Sequence, residues 1–222
     1  MKKIYLLLIF GFSISLNAQK LPKGFVYLSD VDASIKHELR YFSNHNFIGK
    51  VIDGYKNDCV VISKEAAKAL KIIQTKLKKQ GLSLKVFDAY RPQQGVDHFV
   101  RWAKVLNDTL MKKEFYPKVP KSQLFNQGYI ASKSGHTRGS TVDLTIVDLK
   151  TGKELDMGSP YDFFGVRSHP FYRKISEKQK ENRMLLRRMM LKNGFYPYDN
   201  EWWHFTLKNE PYPKTYFNFP IQ

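Results

Sequence analysis

The segment Ser134–Asp143 says more about the fold than any other, because small polar residues there give way to β-branched and apolar ones. Its first half is small and polar, with two glycines that permit a tight or left-handed backbone. The residues from Thr141 to Val147 are β-branched and apolar, which predicts a strand entering a core. On that strand Asp143 shares a face with Thr145 and Val147. A carboxylate there is costly unless something satisfies it, so the pattern indicates a turn aspartate, a buried salt bridge or a metal ligand.

A second constellation, Glu201-Trp-Trp-His204, places a carboxylate and an imidazole three residues apart. Zinc in hydrolases binds three protein ligands and keeps a position for water, whose pKa it lowers to roughly 7. We therefore predict one zinc ion per chain, held by His136, Asp143 and His204, with Glu201 as general base. On chemistry alone Asp143 and Glu201 could exchange roles. If either motif, 134–143 or 201–204, is taken alone, a structural interpretation is equally good. His136 or His204 would then be an ordinary core histidine, and Glu201 a surface glutamate.

Arg91 lies in the motif Asp88-Ala-Tyr-Arg-Pro92, which predicts a rigid turn after a strand. A guanidinium held there could face the oxyanion of a tetrahedral intermediate, where one fixed donor contributes ~2.7–4 kcal/mol. From the residues alone, a structural salt bridge between Arg91 and Asp88 is the better interpretation.

The rest of the chain alternates helical and strand patterns without a repeat, a linker or a regular βαβ order. This predicts one α+β domain, with a small, mainly antiparallel sheet, helices packed around it and the zinc site at the sheet. The expected helices run from a cap at Ser63 to Gly81, from about Gln93 to Leu110, and from a capping box at Ser176 and Gln179 to Gly194. The expected strands are Leu82–Phe87, Val142–Val147 and the segment Phe195–Leu207.

The first eighteen residues have the pattern of a secretory signal: Lys2 and Lys3, an apolar run, and small residues up to Ala18. We predict a signal peptide over 1–18 and a mature domain over 19–222, exported to the periplasm or secreted. No later apolar run approaches ~18 residues, so we expect no transmembrane segment. Cys59 is the single cysteine, which excludes an intramolecular disulfide, and we expect a structural thiol in a buried strand.

The formal charge of the 222-residue chain is +17, and removal of Lys2 and Lys3 would lower it by two. Such an excess favours polyanions, and in an exported protein it predicts electrostatic attraction to an anionic cell envelope. The chain contains no zinc-finger spacing, RNP motif or basic recognition helix, so we expect no nucleic-acid partner.

Taken together, Ser-x-His-x-x-Gly-x-x-x-Asp at 134–143 and Glu-x-x-His at 201–204 resemble the zinc D-alanyl-D-alanine peptidases. The closer match is to the D-alanyl-D-alanine dipeptidases of the vancomycin-resistance (VanX) type. The resemblance spans essentially all of the mature chain, in order. Its further segments are Asn46-Phe-Ile-Gly with Gly54-Tyr55, Asp88-Ala-Tyr-Arg-Pro92, Met157-Gly-Ser-Pro-Tyr-Asp162, Arg167-Ser-His-Pro170, Glu201-Trp-Trp-His-Phe205 and Asn209-Glu-Pro-Tyr-Pro213.

The resemblance implies that zinc is bound by His136, Asp143 and His204 and that Glu201 is the catalytic acid and base, which resolves the exchange left open above. It also implies that Arg91 polarises the scissile carbonyl, against the salt-bridge interpretation. The implied substrate contacts are Asp162 for the ammonium, Ser134 near the carboxylate, and Tyr41 and Tyr55 in the pocket.

The implied activity is hydrolysis of D-alanyl-D-alanine to two D-alanines. The alternatives are a D,D- or L,D-carboxypeptidase acting on peptidoglycan peptides, and a non-catalytic module that binds zinc or wall peptides. Members of the VanX type act in the cytosol, whereas the signal sequence predicts export. Export favours recycling of the wall dipeptide over a role in antibiotic resistance.

Overall fold

The computed structural model describes residues 21–222, and the larger of the two sheets in that range carries the candidate site. Within that range the sheet has five strands in the order β2-β4-β5-β7-β6. The β2–β4 pair is parallel and every other pair is antiparallel, which confirms the predicted sheet type. The strands are β2 (Lys36–His37), β4 (Leu82–Asp88), β5 (Thr141–Asp148), β6 (Phe195–Tyr198) and β7 (Glu201–Leu207).

A second sheet in the described range pairs β1 (Phe25–Tyr27) with β3 (Val61–Ser63) in antiparallel fashion. The helices pack around the two sheets over a shared hydrophobic core, as expected for an α+β protein. They are α1 (Leu28–Asp32), α2 (Lys64–Lys78), α3 (Gln93–Lys104), α4 (Lys112–Phe115) and α5 (Glu177–Leu191), and 3-10 turns lie at Arg40–Phe42, Lys121–Gln123, Gly135–Arg138 and Val166–Ser168.

Helices α2 and α5 form as their sequences predict. The Ser63 side chain caps α2 by accepting a hydrogen bond from the backbone N–H of Ala66. The apolar stripe of α2 is fully buried at Leu70 and Leu77, so the helix is fixed on the core by one face. At α5, Ser176 and Gln179 form the reciprocal capping box, which satisfies two backbone donors at once.

Helix α3 is shorter than predicted: it ends at Lys104, and Leu106 and Leu110 are 58% and 70% exposed. The backbone leaves the helical conformation at Val105, which has φ −90° and ψ 85°. The ammonium of Lys121 donates to the carbonyl oxygens of Val105 and Asp108 at 2.7 and 2.6 Å, which stabilises this non-helical path. The apolar spacing alone could not reveal a donor that arrives from a distant segment.

Two other expectations have different outcomes. Cys59 is a partly buried free thiol, but it precedes β3, which begins at Val61, so its predicted place within a strand was wrong. The predicted signal peptide, 1–18, lies outside the described residues. Among residues 21–222, every helix is too short or too polar to cross a bilayer.

Candidate active site

Three acidic or imidazole side chains form a row across the middle of the larger sheet. Asp143 on β5 pairs with Asp88 on β4 and with His204 on β7. The pairing of Asp88 depends on a β-bulge, because Val86 pairs with Leu144 and Phe87 is then skipped. Without the bulge, Phe87 would lie opposite Asp143 and Asp88 would point to the other face.

His136 reaches the same place from the 3-10 turn that precedes β5. The Ser134 side chain accepts a hydrogen bond from the His136 backbone N–H and begins this turn. The turn ends at Gly139, which has φ +84°, and a Cβ there would lie 2.3 Å from the ring of Phe25. Glycine is therefore required at 139 both for its backbone conformation and for the close approach of Phe25.

The side-chain spacing of His136, Asp143 and His204 suits a zinc ion. His136 Nε2 is 3.3 Å from His204 Nδ1 and 3.3 Å from Asp143 Oδ2, and His204 Nδ1 is 3.1 Å from Asp143 Oδ1. Tetrahedral ligands bound at ~2.0–2.1 Å lie about 3.3 Å apart, which matches these distances. Asp143 Oδ1 is buried and accepts no hydrogen bond from any residue in 21–222, as expected for an oxygen that is meant for a metal.

The surroundings of His136 and Asp143 favour the forms that bind a metal. His136 Nδ1 is 2.8 Å from the carbonyl oxygen of Ala89, so the proton belongs on Nδ1 and Nε2 is left free. Burial lowers the pKa of His136, which keeps the imidazole neutral. Burial would raise the pKa of Asp143, but His136 and His204 outweigh it and hold the pKa well below its ordinary value. Burial would lower the pKa of His204, but Asp143 and Glu201 outweigh it and raise that pKa. The donor set fits zinc, with one carboxylate oxygen and two imidazole nitrogens.

Glu201 stands beside this cluster, with Oε2 3.5 Å from His204 Nδ1. Residues three apart on a regular strand point to opposite faces, so Glu201 and His204 should have been separated. A shift in the register between β6 and β7 removes the conflict, because Pro197 pairs with Phe205 while Tyr198 pairs with Glu201. Burial, followed by the nearby Asp143 carboxylate, raises the pKa of Glu201 to about 7.

Arg91 both forms the expected salt bridge and reaches the site. Its Nε and Nη2 are 2.9 and 2.8 Å from Asp88 Oδ2, so the salt-bridge interpretation is confirmed. The guanidinium also lies 4.9 Å from the ring centre of Tyr41 and 3.7 Å from Asp143 Oδ2. The ion pair with Asp88 thus fixes the direction of Arg91 toward the candidate metal ligands.

One cavity of about 320 Å³ joins these groups. It is bordered by eight of the nine residues predicted from the sequence: Tyr41, Arg91, Ser134, His136, Asp143, Asp162, Glu201 and His204. The ninth, Tyr55, does not border it. Tyr55 is buried behind the site and donates a hydrogen bond of 2.6 Å to Asp88 Oδ1. The structure therefore brings Tyr55 to the site as a support for Asp88, rather than to the cavity wall.

Asp162 is a buried carboxylate on the loop that follows β5. It has φ +60°, a left-handed conformation that is uncommon outside glycine. Tyr41 donates a hydrogen bond of 2.8 Å to Asp162 Oδ2. Burial, and then the charge of Asp143, raise the pKa of Asp162 well above its ordinary value. Such a group is stabilised in its charged form when a cation enters the cavity.

Sequence reasoning missed several residues of the site. Tyr161 donates a hydrogen bond of 3.1 Å to Asp143 Oδ2 and stacks on Phe87. The rim includes residues 128–131 together with Tyr198, from a segment with no recognisable motif. Tyr161 could have been suspected, because it precedes Asp162 in a motif already singled out. The rim could not, because its place depends on how a long irregular segment packs.

Two histidines and one aspartate that can share a metal ion, next to the Glu201 carboxylate, form an arrangement of the metallopeptidase class. Comparison with known proteins identifies the family within this class. The family model Peptidase_M15, described as D-ala-D-ala dipeptidase, matches residues 22–222, and the chain belongs to this family.

Two curated relatives illustrate the match. A D-alanyl-D-alanine dipeptidase of Enterococcus faecalis is 40% identical over 201 residues, which cover 90% of this chain and 100% of the relative. One of Streptomyces coelicolor is 40% identical over 197 residues, covering 89% and 98%. Among solved structures, the vancomycin-resistance D,D-pentapeptidase VanY in complex with Zn(II) has a TM-score of 0.41 and 15% identity, covering 70% of this chain and 77% of VanY.

Proposed function

We propose that the protein is an exported, zinc-dependent dipeptidase that hydrolyses D-alanyl-D-alanine to two D-alanines. One observation carries the proposal: the predicted ligands His136, Asp143 and His204 meet within 4.8 Å of one another, in the same cavity as Glu201 and Arg91. We infer the substrate, D-alanyl-D-alanine, from the names of the relatives.

Each protein group has a defined task in the proposed reaction. Zinc held by the three ligands would supply a Lewis acid and lower the pKa of water to roughly 7. Glu201 accepts the proton of the attacking water and delivers it to the leaving amine. Arg91, held by Asp88, donates hydrogen bonds to the oxygen of the scissile carbonyl as negative charge develops on it.

The remaining cavity residues orient a short zwitterion. We assign the ammonium of the substrate to Asp162, which Tyr41 holds from behind, and the carboxylate to the neighbourhood of Ser134. The cavity of about 320 Å³ is near the lower limit of ~300 Å³ for ligand pockets. A dipeptide suits such a volume. A buried carboxylate at the amino end, whose charged form is stabilised by the substrate ammonium, disfavours substrates whose amine is blocked.

The test compares D-alanyl-D-alanine with its N-acetylated form, using purified protein of known zinc content. The proposal predicts efficient cleavage of the free dipeptide and weak cleavage of the blocked one. Preference for the blocked substrate would instead support the carboxypeptidase alternative. Zinc-loaded protein that bound the dipeptide without cutting it would support a non-catalytic binding module.

Export and envelope attraction are part of the proposal. They rest on the signal-like residues 1–18 and on the formal charge of +17. N-terminal sequencing of the protein recovered from cell fractions tests export, with cleavage after Ala18 as the expected result. An intact Met1 on protein found in the cytosol would contradict it.

A further inference from the structure

The loop that carries Asp162 is tied to helix α5 by the side chain of one buried arginine. Arg183, which is 1% exposed, donates from Nε to the carbonyl oxygen of Met157 at 2.5 Å. From Nη1 and Nη2 it donates to the carbonyl oxygens of His169 at 2.7 Å and Arg167 at 2.9 Å. Met157 lies before Asp162 in the chain, and the other two acceptors lie after it. A single guanidinium therefore bridges both arms of the loop.

The charge of Arg183 is buried, and the guanidinium forms no salt bridge within residues 21–222. It donates instead to three backbone carbonyl oxygens and, at 3.4 Å, to the Ser159 hydroxyl, while Asp156 attracts it from farther away. Burial, followed by repulsion from Arg167, lowers the pKa of Arg183 to about 10. An isolated buried cation is costly, and its cost is offset here by hydrogen bonds to backbone carbonyls. Arginine is required for this arrangement, because its rigid fork reaches several acceptors at once, whereas lysine presents one nitrogen.

The apex of the loop is held less directly than its arms. Between the two anchored arms, Tyr161 packs on Phe87 and donates to Asp143, and Asp162 adopts its left-handed conformation. A residue in such a conformation persists only where its surroundings fix it. With both arms fixed on α5, the position of Asp162 relative to the candidate metal ligands is set from outside the cavity as well as by Tyr41 within it.

We propose that Arg183 is a positioning residue that sets the preference for a free amino terminus, by fixing the loop that presents Asp162. This inference rests on the proposed function, which assigns the substrate ammonium to Asp162. Arg183 itself borders neither the cavity nor the ligands. Its loss should therefore affect ammonium recognition more than the chemical step.

The test is Arg183→Lys, with Arg188→Lys as the matched control, since Arg188 is an exposed arginine on the same helix. For Arg183→Lys we expect unchanged zinc content, kcat within about threefold and a KM for D-alanyl-D-alanine raised about tenfold, below the ~10² that a 1 Å misplacement can cost. The ratio of kcat/KM between the free and N-acetylated dipeptides should fall by a similar factor. Hydrogen exchange should become faster at residues 157–169, and the control should behave as wild type.

An unchanged KM and selectivity in a folded, zinc-loaded Arg183→Lys protein would overturn the inference. If that variant fails to fold, Asn182→Ala takes its place, because Asn182 donates to the carbonyl oxygen of Asp156 and ties only one arm. That variant should show the same change in selectivity to a smaller extent, and wild-type selectivity would again refute the role. A wild-type protein that does not cut the free dipeptide is a different result, because it refutes the proposed function itself.

Discussion

Tyr55→Phe separates a support for the site from a contact with the substrate. The structure buries Tyr55 to 3% exposure and directs its hydroxyl to Asp88 Oδ1 at 2.6 Å, away from the cavity. Asp88 in turn holds Arg91 through Nε and Nη2. Removal of the hydroxyl deletes a hydrogen bond to a buried carboxylate and leaves that oxygen without a donor.

The expected loss of stability follows from that one bond. Hydrogen bonds to charged groups contribute about 1.5–3 kcal/mol, so we expect the free energy of unfolding to fall by about 2 kcal/mol. For a domain of this size, each kcal/mol lowers Tm by roughly 2–4 °C, which gives about 4–8 °C. Because Arg91 keeps its direct ion pair, kcat should fall on the order of tenfold, less than the ~10²–10³ caused by loss of an oxyanion donor.

Urea unfolding measures the stability change, and steady-state hydrolysis of D-alanyl-D-alanine separates kcat from KM. Tyr116→Phe is the matched control, because Tyr116 is equally buried and its hydroxyl has no hydrogen-bond partner within residues 21–222. The control should lose no stability relative to wild type, because removal of an unpaired buried hydroxyl breaks no hydrogen bond. A tenfold rise in KM with unchanged stability of Tyr55→Phe would refute the support role and restore Tyr55 as a substrate contact.

Three further changes test other parts of the site. Glu201→Ala should lower kcat by at least ~10² while zinc content stays constant, and an unchanged rate would refute its role as base. Asp162→Asn should lower kcat/KM for the free dipeptide by about 10–100-fold and spare the N-acetylated one, since a charge-assisted contact is lost; equal losses on both would count against ammonium binding. Gly139→Ala should lower the free energy of unfolding by about 3 kcal/mol, because it combines strain at φ +84° with overlap on Phe25. Gly152→Ala (φ +70° with no neighbour within 4 Å) isolates the strain alone, so an equal loss there would exclude the overlap.

Local signals predicted much of the fold. The cap at Ser63 and the capping box at Ser176 depend on residues within one turn of each other, and both formed as expected. The end of α3 did not: the backbone leaves the helical conformation at Val105, and Lys121, which is distant in sequence, stabilises the path that follows. Elements governed by short-range chemistry were predictable, and a boundary supported by a distant side chain was not.

The same division holds within the candidate site. The residue types and spacings of His136, Asp143, Glu201 and His204 indicated one cluster, and the structure brings them together. The backbone irregularities that make this possible were not visible in the sequence. The bulge that skips Phe87 and the shifted register at the start of β7 both depend on which strand lies alongside.

Stepwise removal of metal by a chelator, with zinc content and hydrolysis of D-alanyl-D-alanine measured on the same sample, decides whether the protein is a zinc dipeptidase. We expect one zinc per chain at full activity, with activity lost in proportion to zinc and restored when zinc is returned. Full hydrolysis by metal-free protein would contradict it, as would zinc-loaded protein that never cuts the dipeptide.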